Sequence, residues 1–131
     1  MKYLLDTSVF LWSLAAEHKL NQRAKDVLTS PATELYFSAA SSWEIAIKFA
    51  LGSLTLPGAP LEFIPQAMRS WAIRALDITH EHALRTGELP AHHRDPFDRL
   101  LIAQALEEKM ILLTADRVFQ KYKLDLIFCG K

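Results

Sequence analysis

The chain has 131 residues, of which half are hydrophobic and 23% are charged, with 15 basic and 15 acidic side chains. A chain of this length usually folds as one domain and buries enough apolar surface to be stable without disulfides, so we expect a single domain over residues 1–131. Four glycines and six prolines exclude collagen-like and low-complexity classes. The zero net charge excludes a protein that holds nucleic acid by bulk electrostatics.

Short apolar runs alternate with longer amphipathic ones along the chain. In chain order they predict a strand over 3–5, helices from 9 and over 21–30, a strand over 35–37, helices over 43–51 and 61–71, a strand over 73–78, helices over 80–86 and 96–110, a strand over 111–113, a short helix ending at 122 and a strand over 126–128. This alternation predicts an α/β fold with a parallel sheet covered by helices on both faces.

Cysteine content and hydropathy bear on location. The single cysteine, Cys129, cannot form an internal disulfide, which favours a reducing compartment. No apolar stretch near the start approaches the roughly 20 residues that a membrane span needs. We therefore expect a cytoplasmic protein without a membrane segment.

Acidic residues recur where predicted strands end. Asp6, Glu44 and Asp116 each follow a strand, and Asp98 lies in the first turn of the helix that begins at Pro96. Parallel strands and right-handed crossovers place all four at one edge of the sheet, where ligands of such folds bind. Four converging carboxylates repel one another unless a cation offsets their charge, and oxygen ligands suit Mg²⁺ or Mn²⁺.

Each of these acids also has a local explanation. Asp6 and Asp116 fit helix-capping positions, and the pattern from Ser41 to Glu44 is that of a capping box. Asp95 before proline is a typical N-cap, which places Asp98 where a capping-box acid stands. The neighbouring hydroxyls either orient metal ligands or cap turns; they belong to Thr7, Ser8 and Thr114.

The sequence shows no pattern typical of a zinc site, a nucleotide-binding loop or a serine hydrolase. His92 and His93 are neighbours in a loop, and His80 and His82 point in different directions on a helix, so neither pair has the i, i+4 spacing of a zinc chelate. The chain has no P-loop, no dinucleotide-binding glycine pattern and no nucleophile elbow. Basic side chains beside the acids either hold phosphates or pair locally; the first candidates for phosphate contact are Arg99 and Arg117.

Four segments together resemble the PIN domain, specifically the VapC-type toxins of toxin–antitoxin pairs. They are Met1–Ser8, Ser42-Trp43-Glu44-Ile45, His93–Ala105 and Leu113-Thr114-Ala115-Asp116. The resemblance implies a three-layer α/β/α sandwich with a mainly parallel sheet and metal-dependent endoribonuclease activity. It also implies a homodimer and a cognate antitoxin whose C-terminal segment covers the site. The metal-binding acids that it implies are Asp6, Glu44, Asp98 and Asp116.

Within the resemblance, Asp95 precedes the family's acidic position and is interpreted as a helix cap, and Ser8 stands where many members carry Asn. The sequence therefore predicts an Mg²⁺- or Mn²⁺-dependent endoribonuclease in which metal-activated water attacks an RNA phosphate. Two alternatives stay open: a metal-dependent phosphoesterase acting on DNA or small phosphates, and a non-catalytic interaction module. Apolar contacts to a partner are expected from Trp12, Trp43, Phe49 and Trp71.

Overall fold

The computed structural model describes all residues, Met1–Lys131, and contains a five-stranded parallel sheet between two layers of helices. The strands are β1 (Lys2–Leu5), β2 (Glu34–Ser38), β3 (Ile73–Leu76), β4 (Ile111–Thr114) and β5 (Leu126–Phe128). The helices are α1 (Thr7–Ala15), α2 (Gln22–Thr29), α3 (Ala39–Ala50), α4 (Pro60–Ser70), α5 (His80–Arg85) and α6 (Pro96–Glu108). Short 3₁₀ turns cover Glu17–Lys19, Thr86–Glu88 and Arg117–Lys121. The predicted α/β class and its parallel sheet are confirmed.

The strand order is β3-β2-β1-β4-β5, and every neighbouring pair is parallel. The chain therefore adds β2 and β3 on one side of β1 and then crosses over to add β4 and β5 on the other side. In such sheets the crevice at the carboxyl ends of the two strands where the direction reverses is the usual ligand site. Here those two strands are β1 and β4.

The two faces of the sheet belong to two separate cores because side chains alternate along each strand. Leu5 and Leu113 face a larger cluster that includes Phe10 of α1, whereas Leu4 and Leu112 face a smaller cluster. The larger cluster packs beneath α1 to α4, and the smaller one packs beneath α6 and the last 3₁₀ turn. The three layers that the family resemblance implies are therefore present.

Helix boundaries agree with the prediction except at α3. The sequence predicts that this helix starts at Trp43, but it begins at Ala39, because Ser38 accepts a hydrogen bond from the Ala40 amide and acts as the N-cap. The predicted capping box between Ser41 and Glu44 is therefore wrong. Separately, none of the helices is long and apolar enough to cross a membrane.

Candidate active site

Asp6 lies at the carboxyl end of β1 and is almost fully shielded from solvent. Its backbone amide donates to the Leu113 carbonyl of β4 at 2.9 Å. One carboxylate oxygen accepts from the Val9 amide at 2.7 Å and caps α1, and the other accepts from the Thr114 hydroxyl at 2.5 Å. The residue is 4% exposed, and burial raises the pKa of Asp6 to about 6 although these hydrogen bonds lower it. No basic side chain donates to this carboxylate.

Asp116 follows β4 and reaches the same edge. Its Oδ1 accepts from the Val118 amide at 2.9 Å and caps the last 3₁₀ turn. Its backbone amide donates to the Thr114 hydroxyl at 3.0 Å. Since that hydroxyl in turn donates to Asp6, Thr114 links the acidic residues that follow the two central strands.

Glu44 reaches this edge from the second turn of α3, and it is 7% exposed. Its Oε1 accepts from the Thr7 hydroxyl at 2.7 Å, and its Oε2 accepts from the Lys48 ammonium at 2.7 Å. The Glu44 hydrogen bond raises the pKa of Lys48 above its usual value. Lys48 was not predicted at the site, although the i, i+4 spacing from Glu44 is typical of a helical ion pair.

Asp98 does not cap its helix. Asp95 performs that role as predicted, accepting from the Phe97 amide at 2.8 Å and the Asp98 amide at 3.3 Å. The carboxylate of Asp98 instead lies 3.0 Å from Nε2 of His93. The interpretation of Asp98 as a capping-box acid is therefore wrong, because its side chain bonds to no backbone amide of α6.

The charge environment of Asp98 is unfavourable for an ionised group. Burial is the largest cause that raises its pKa to about 7, and the carboxylates of Asp95, Glu44 and Asp6 raise it further. His93 lowers the pKa but does not offset the other contributions. The metal-free site thus holds more negative charge than its surroundings compensate.

Sequence patterns do not assign His93 to the site, but the structure places its imidazole beside two of the acids. Its Nε2 lies 3.0 Å from Oδ2 of Asp98 and 3.1 Å from Oδ2 of Asp116. His92, by contrast, is exposed and packs edge-on against Tyr122. No local pattern separates the two histidines, because their positions depend on how the loop before α6 folds.

Three of the predicted flanking residues form no hydrogen bond or ion pair with the carboxylates. Ser8 is exposed and forms no side-chain hydrogen bond, unlike Thr7 and Thr114. Arg99 donates to the carbonyls of Thr86, Leu89, Pro90 and His93, so four of its five N–H groups are used within the fold, and its contact with a phosphate stays a prediction. The guanidinium of Arg117 lies 4.4 Å from the ring of Phe128.

The donor set fits a hard divalent cation. Asp6, Glu44, Asp98 and Asp116 offer carboxylate oxygens, which Mg²⁺ and Mn²⁺ prefer. Two of these groups have raised pKa values because they are buried without sufficient compensating charge. A bound cation would offset the free-energy cost of ionising these buried carboxylates. The burial of these groups therefore favours a metal centre over a set of helix caps.

Comparisons with known proteins bear on the family and the fold. The family model of the PIN domain matches residues 3–124. Ribonuclease VapC16 from Mycobacterium tuberculosis is 35% identical over 69 residues, which are 53% of this chain and 48% of that protein. The match thus spans about half the length of that relative.

Several solved structures share the fold at low sequence identity. VapBC2 from Rickettsia felis, bound to a promoter DNA fragment, has a TM-score of 0.74 at 15% identity and covers 99% of this chain and 100% of its own. FitAB bound to the IR36 DNA fragment has a TM-score of 0.68 at 19% identity, with 96% and 94% covered. VapBC from Salmonella typhimurium, also bound to DNA, has a TM-score of 0.66 at 19% identity, with 98% of each chain covered.

Proposed function

Since the chain belongs to the PIN domain family, we propose that it is a divalent-metal-dependent endoribonuclease and the toxin of a toxin–antitoxin pair. The observation that carries the proposal is the convergence of four carboxylates at the carboxyl ends of β1 and β4. Among them, Asp6 is buried and accepts no hydrogen bond from a basic side chain. Helix capping does not explain the set, because the carboxylates of Glu44 and Asp98 cap nothing.

In this proposal Asp6, Asp98 and Asp116 hold Mg²⁺ or Mn²⁺, and Glu44 completes the site directly or through water. Such an ion, when bound, supplies an activated water and offsets charge on the phosphoryl group. Thr114 fixes the orientation of the Asp6 carboxylate, and Thr7 does the same for Glu44.

Phosphate contact is assigned to basic groups that remain accessible. Lys48 is the first candidate, because its side chain is 52% exposed while its ammonium lies at the carboxylate cluster. Arg117 is exposed and stays a candidate for the RNA backbone. Local cations are needed because the formal net charge of the chain is zero.

An antitoxin partner and a homodimer complete the proposal. Two apolar hollows flank α4: one of about 590 Å³ lined by Trp12 and Trp71, and one of about 730 Å³ lined by Phe49. Trp43 is 60% exposed and packs edge-on against Phe97. These surfaces are where we expect apolar segments of a partner to bind. A cytoplasmic location and a single domain over residues 1–131 belong to the same proposal.

The test is cleavage of a mixed tRNA and mRNA pool by the purified chain, freed of any partner, with Mn²⁺ or with EDTA. Wild type should cut RNA only with Mn²⁺, Asp6→Asn should not cut, and Asp125→Asn should cut like wild type because Asp125 is exposed and has no side-chain hydrogen bond. Cleavage of single-stranded DNA, duplex DNA or a simple phosphodiester instead of RNA would favour the other phosphoesterase activities. Absence of Mn²⁺ binding would favour the interaction module.

A further inference from the structure

His93 is the one side chain that contacts two of the candidate metal-binding carboxylates at once. Its Nε2 lies 3.0 Å from Oδ2 of Asp98 and 3.1 Å from Oδ2 of Asp116. The Nε2 atom and the two carboxylate oxygens all lie within 4.8 Å of one another, so distance alone allows His93 to be a third metal ligand or a hydrogen-bond donor. The other ring nitrogen distinguishes these roles.

Nδ1 of His93 accepts a hydrogen bond from the backbone amide of Asp95 at 3.3 Å. A backbone amide can only donate, so Nδ1 carries a lone pair and the neutral ring carries its proton on Nε2. A metal-binding histidine has the opposite arrangement, in which the second nitrogen is protonated and donates to a carbonyl or carboxylate. In this structure Nε2 is therefore the donor, and its N–H points at Oδ2 of Asp116, while Oδ2 of Asp98 lies 3.0 Å from the same nitrogen.

The loop that carries His93 is held in place by two side chains from other elements. The His93 amide donates to the Tyr122 hydroxyl at 2.8 Å, and that hydroxyl donates to the Pro90 carbonyl at 3.0 Å. Arg99 donates to the carbonyls of both His93 and Pro90, at 3.2 and 3.0 Å. The ring itself packs against Phe119, with 5.5 Å between ring centroids. These contacts restrict both the position and the orientation of the imidazole.

We propose that His93 is a positioning residue, which donates its Nε2–H to Asp116, contacts Asp98 with the same nitrogen, and is not itself a metal ligand. The inference rests on the proposed function, since it concerns the same site. A donor that lies between two carboxylates reduces their repulsion, and its hydrogen bond fixes Oδ2 of Asp116. Oδ1 of Asp98 then has no protein partner and remains available to a cation. Arg99 and Tyr122 act indirectly, by holding the loop that carries the ring.

Metal affinity tests this role without RNA. Mn²⁺ binding is measured by titration with electron paramagnetic resonance for wild type, His93→Ala, His93→Gln and the control His92→Ala. We expect about tenfold weaker binding for His93→Ala, because outer hydrogen-bond partners typically contribute roughly 10–100-fold to metal affinity. His93→Gln retains an N–H donor and should recover part of the loss, and His92→Ala should bind like wild type. Unchanged Mn²⁺ affinity in His93→Ala would overturn the proposal.

Two spectroscopic measurements on the wild-type chain do not depend on whether a variant folds. Histidine ¹⁵N spectra of the metal-free protein should show His93 as the Nε2–H tautomer. Electron spin-echo spectra of the Mn²⁺ complex should show no coupling to an imidazole nitrogen, and such a coupling would make His93 a ligand and refute the assignment. Failure of the proposed nuclease activity would appear separately, as absence of RNA cleavage by wild type that still binds Mn²⁺.

Discussion

Replacing Asp98 with Asn should stabilise the metal-free protein at pH 8. The side chain of Asp98 is 20% exposed, and its carboxylate caps no backbone amide. Asn has nearly the same shape but carries no charge. The substitution therefore removes a buried charge that the neighbouring carboxylates oppose, and the only contact that it alters is the one with His93.

The pH dependence follows from the raised pKa of Asp98, about 7 in the folded protein against an ordinary value of 3.8. Between these values the folded state keeps a proton that the unfolded state releases, so stability falls as pH rises and then levels above pH 7. About three pKa units at about 1.36 kcal/mol each set a ceiling of roughly 4 kcal/mol. Solvent access and the lost attraction of a carboxylate to the α6 N-terminus reduce this, so we expect about 2 kcal/mol.

Urea unfolding in EDTA at pH 5, 6, 7 and 8 measures this effect, with Asp125→Asn as the matched control. The stability difference between Asp98→Asn and wild type should grow from pH 5 to pH 7. Saturating Mn²⁺ should stabilise wild type, by about 2.7 kcal/mol at 100 times the dissociation constant, and should not stabilise the variant to the same extent. A constant loss of about 1 kcal/mol at every pH would show that Asp98 acts as a helix cap and would refute the reasoning.

Three further outcomes are expected. Thr7→Val removes the 2.7 Å hydrogen bond to Glu44 and should weaken Mn²⁺ binding, measured by calorimetry, about tenfold. Ser8 is exposed, so Ser8→Ala should bind Mn²⁺ like wild type; equal affinity of Thr7→Val and wild type would contradict the role given to Thr7. Cys129 is fully buried, and burial raises the pKa of its thiol, so a disulfide reagent should modify it in urea but not in the native protein. Lys109 directly follows α6 and has φ 56°, a left-handed conformation that glycine adopts without strain. Lys109→Gly should therefore increase the free energy of unfolding by about 1 kcal/mol in urea, and a decrease would be inconsistent with strain at this residue.

The order of helices and strands could be predicted because each element has a local signature. The strands of a buried parallel sheet are short continuous apolar runs, and residues 111–113 lie within the observed Ile111–Thr114. The helix predicted over 96–110 is found over Pro96–Glu108 because Asp95 and Pro96 form a strong start signal. The predicted start of α3 was wrong because Ser38 and Ser41 both fit the N-cap position. Which serine caps the helix depends on where β2 ends.

At the candidate site, the convergence of the acids could be predicted but their partners could not. Topology alone brings Asp6 and Asp116 to one edge, because both directly follow parallel strands. The contact between His93 and Asp98 depends instead on a loop that Arg99 of α6 contacts and that Tyr122, 29 positions along the chain, holds in place. Such long-range hydrogen bonds have no periodic signature in the sequence. For the same reason the sequence does not show that Arg99 donates to four backbone carbonyls within the fold.

The strand order also has a consequence for synthesis of the protein on the ribosome. Asp6 is made early, but the hydroxyl that orients it belongs to Thr114, 108 positions later. The strand β4 can insert beside β1 only after residues 111–114 have been translated, at typical rates of about 5–20 residues per second. A nascent chain therefore lacks a complete carboxylate cluster until β4 and Asp116 have been synthesised. Truncated translation products that end before β4 should be inert toward nucleic acid for the same reason.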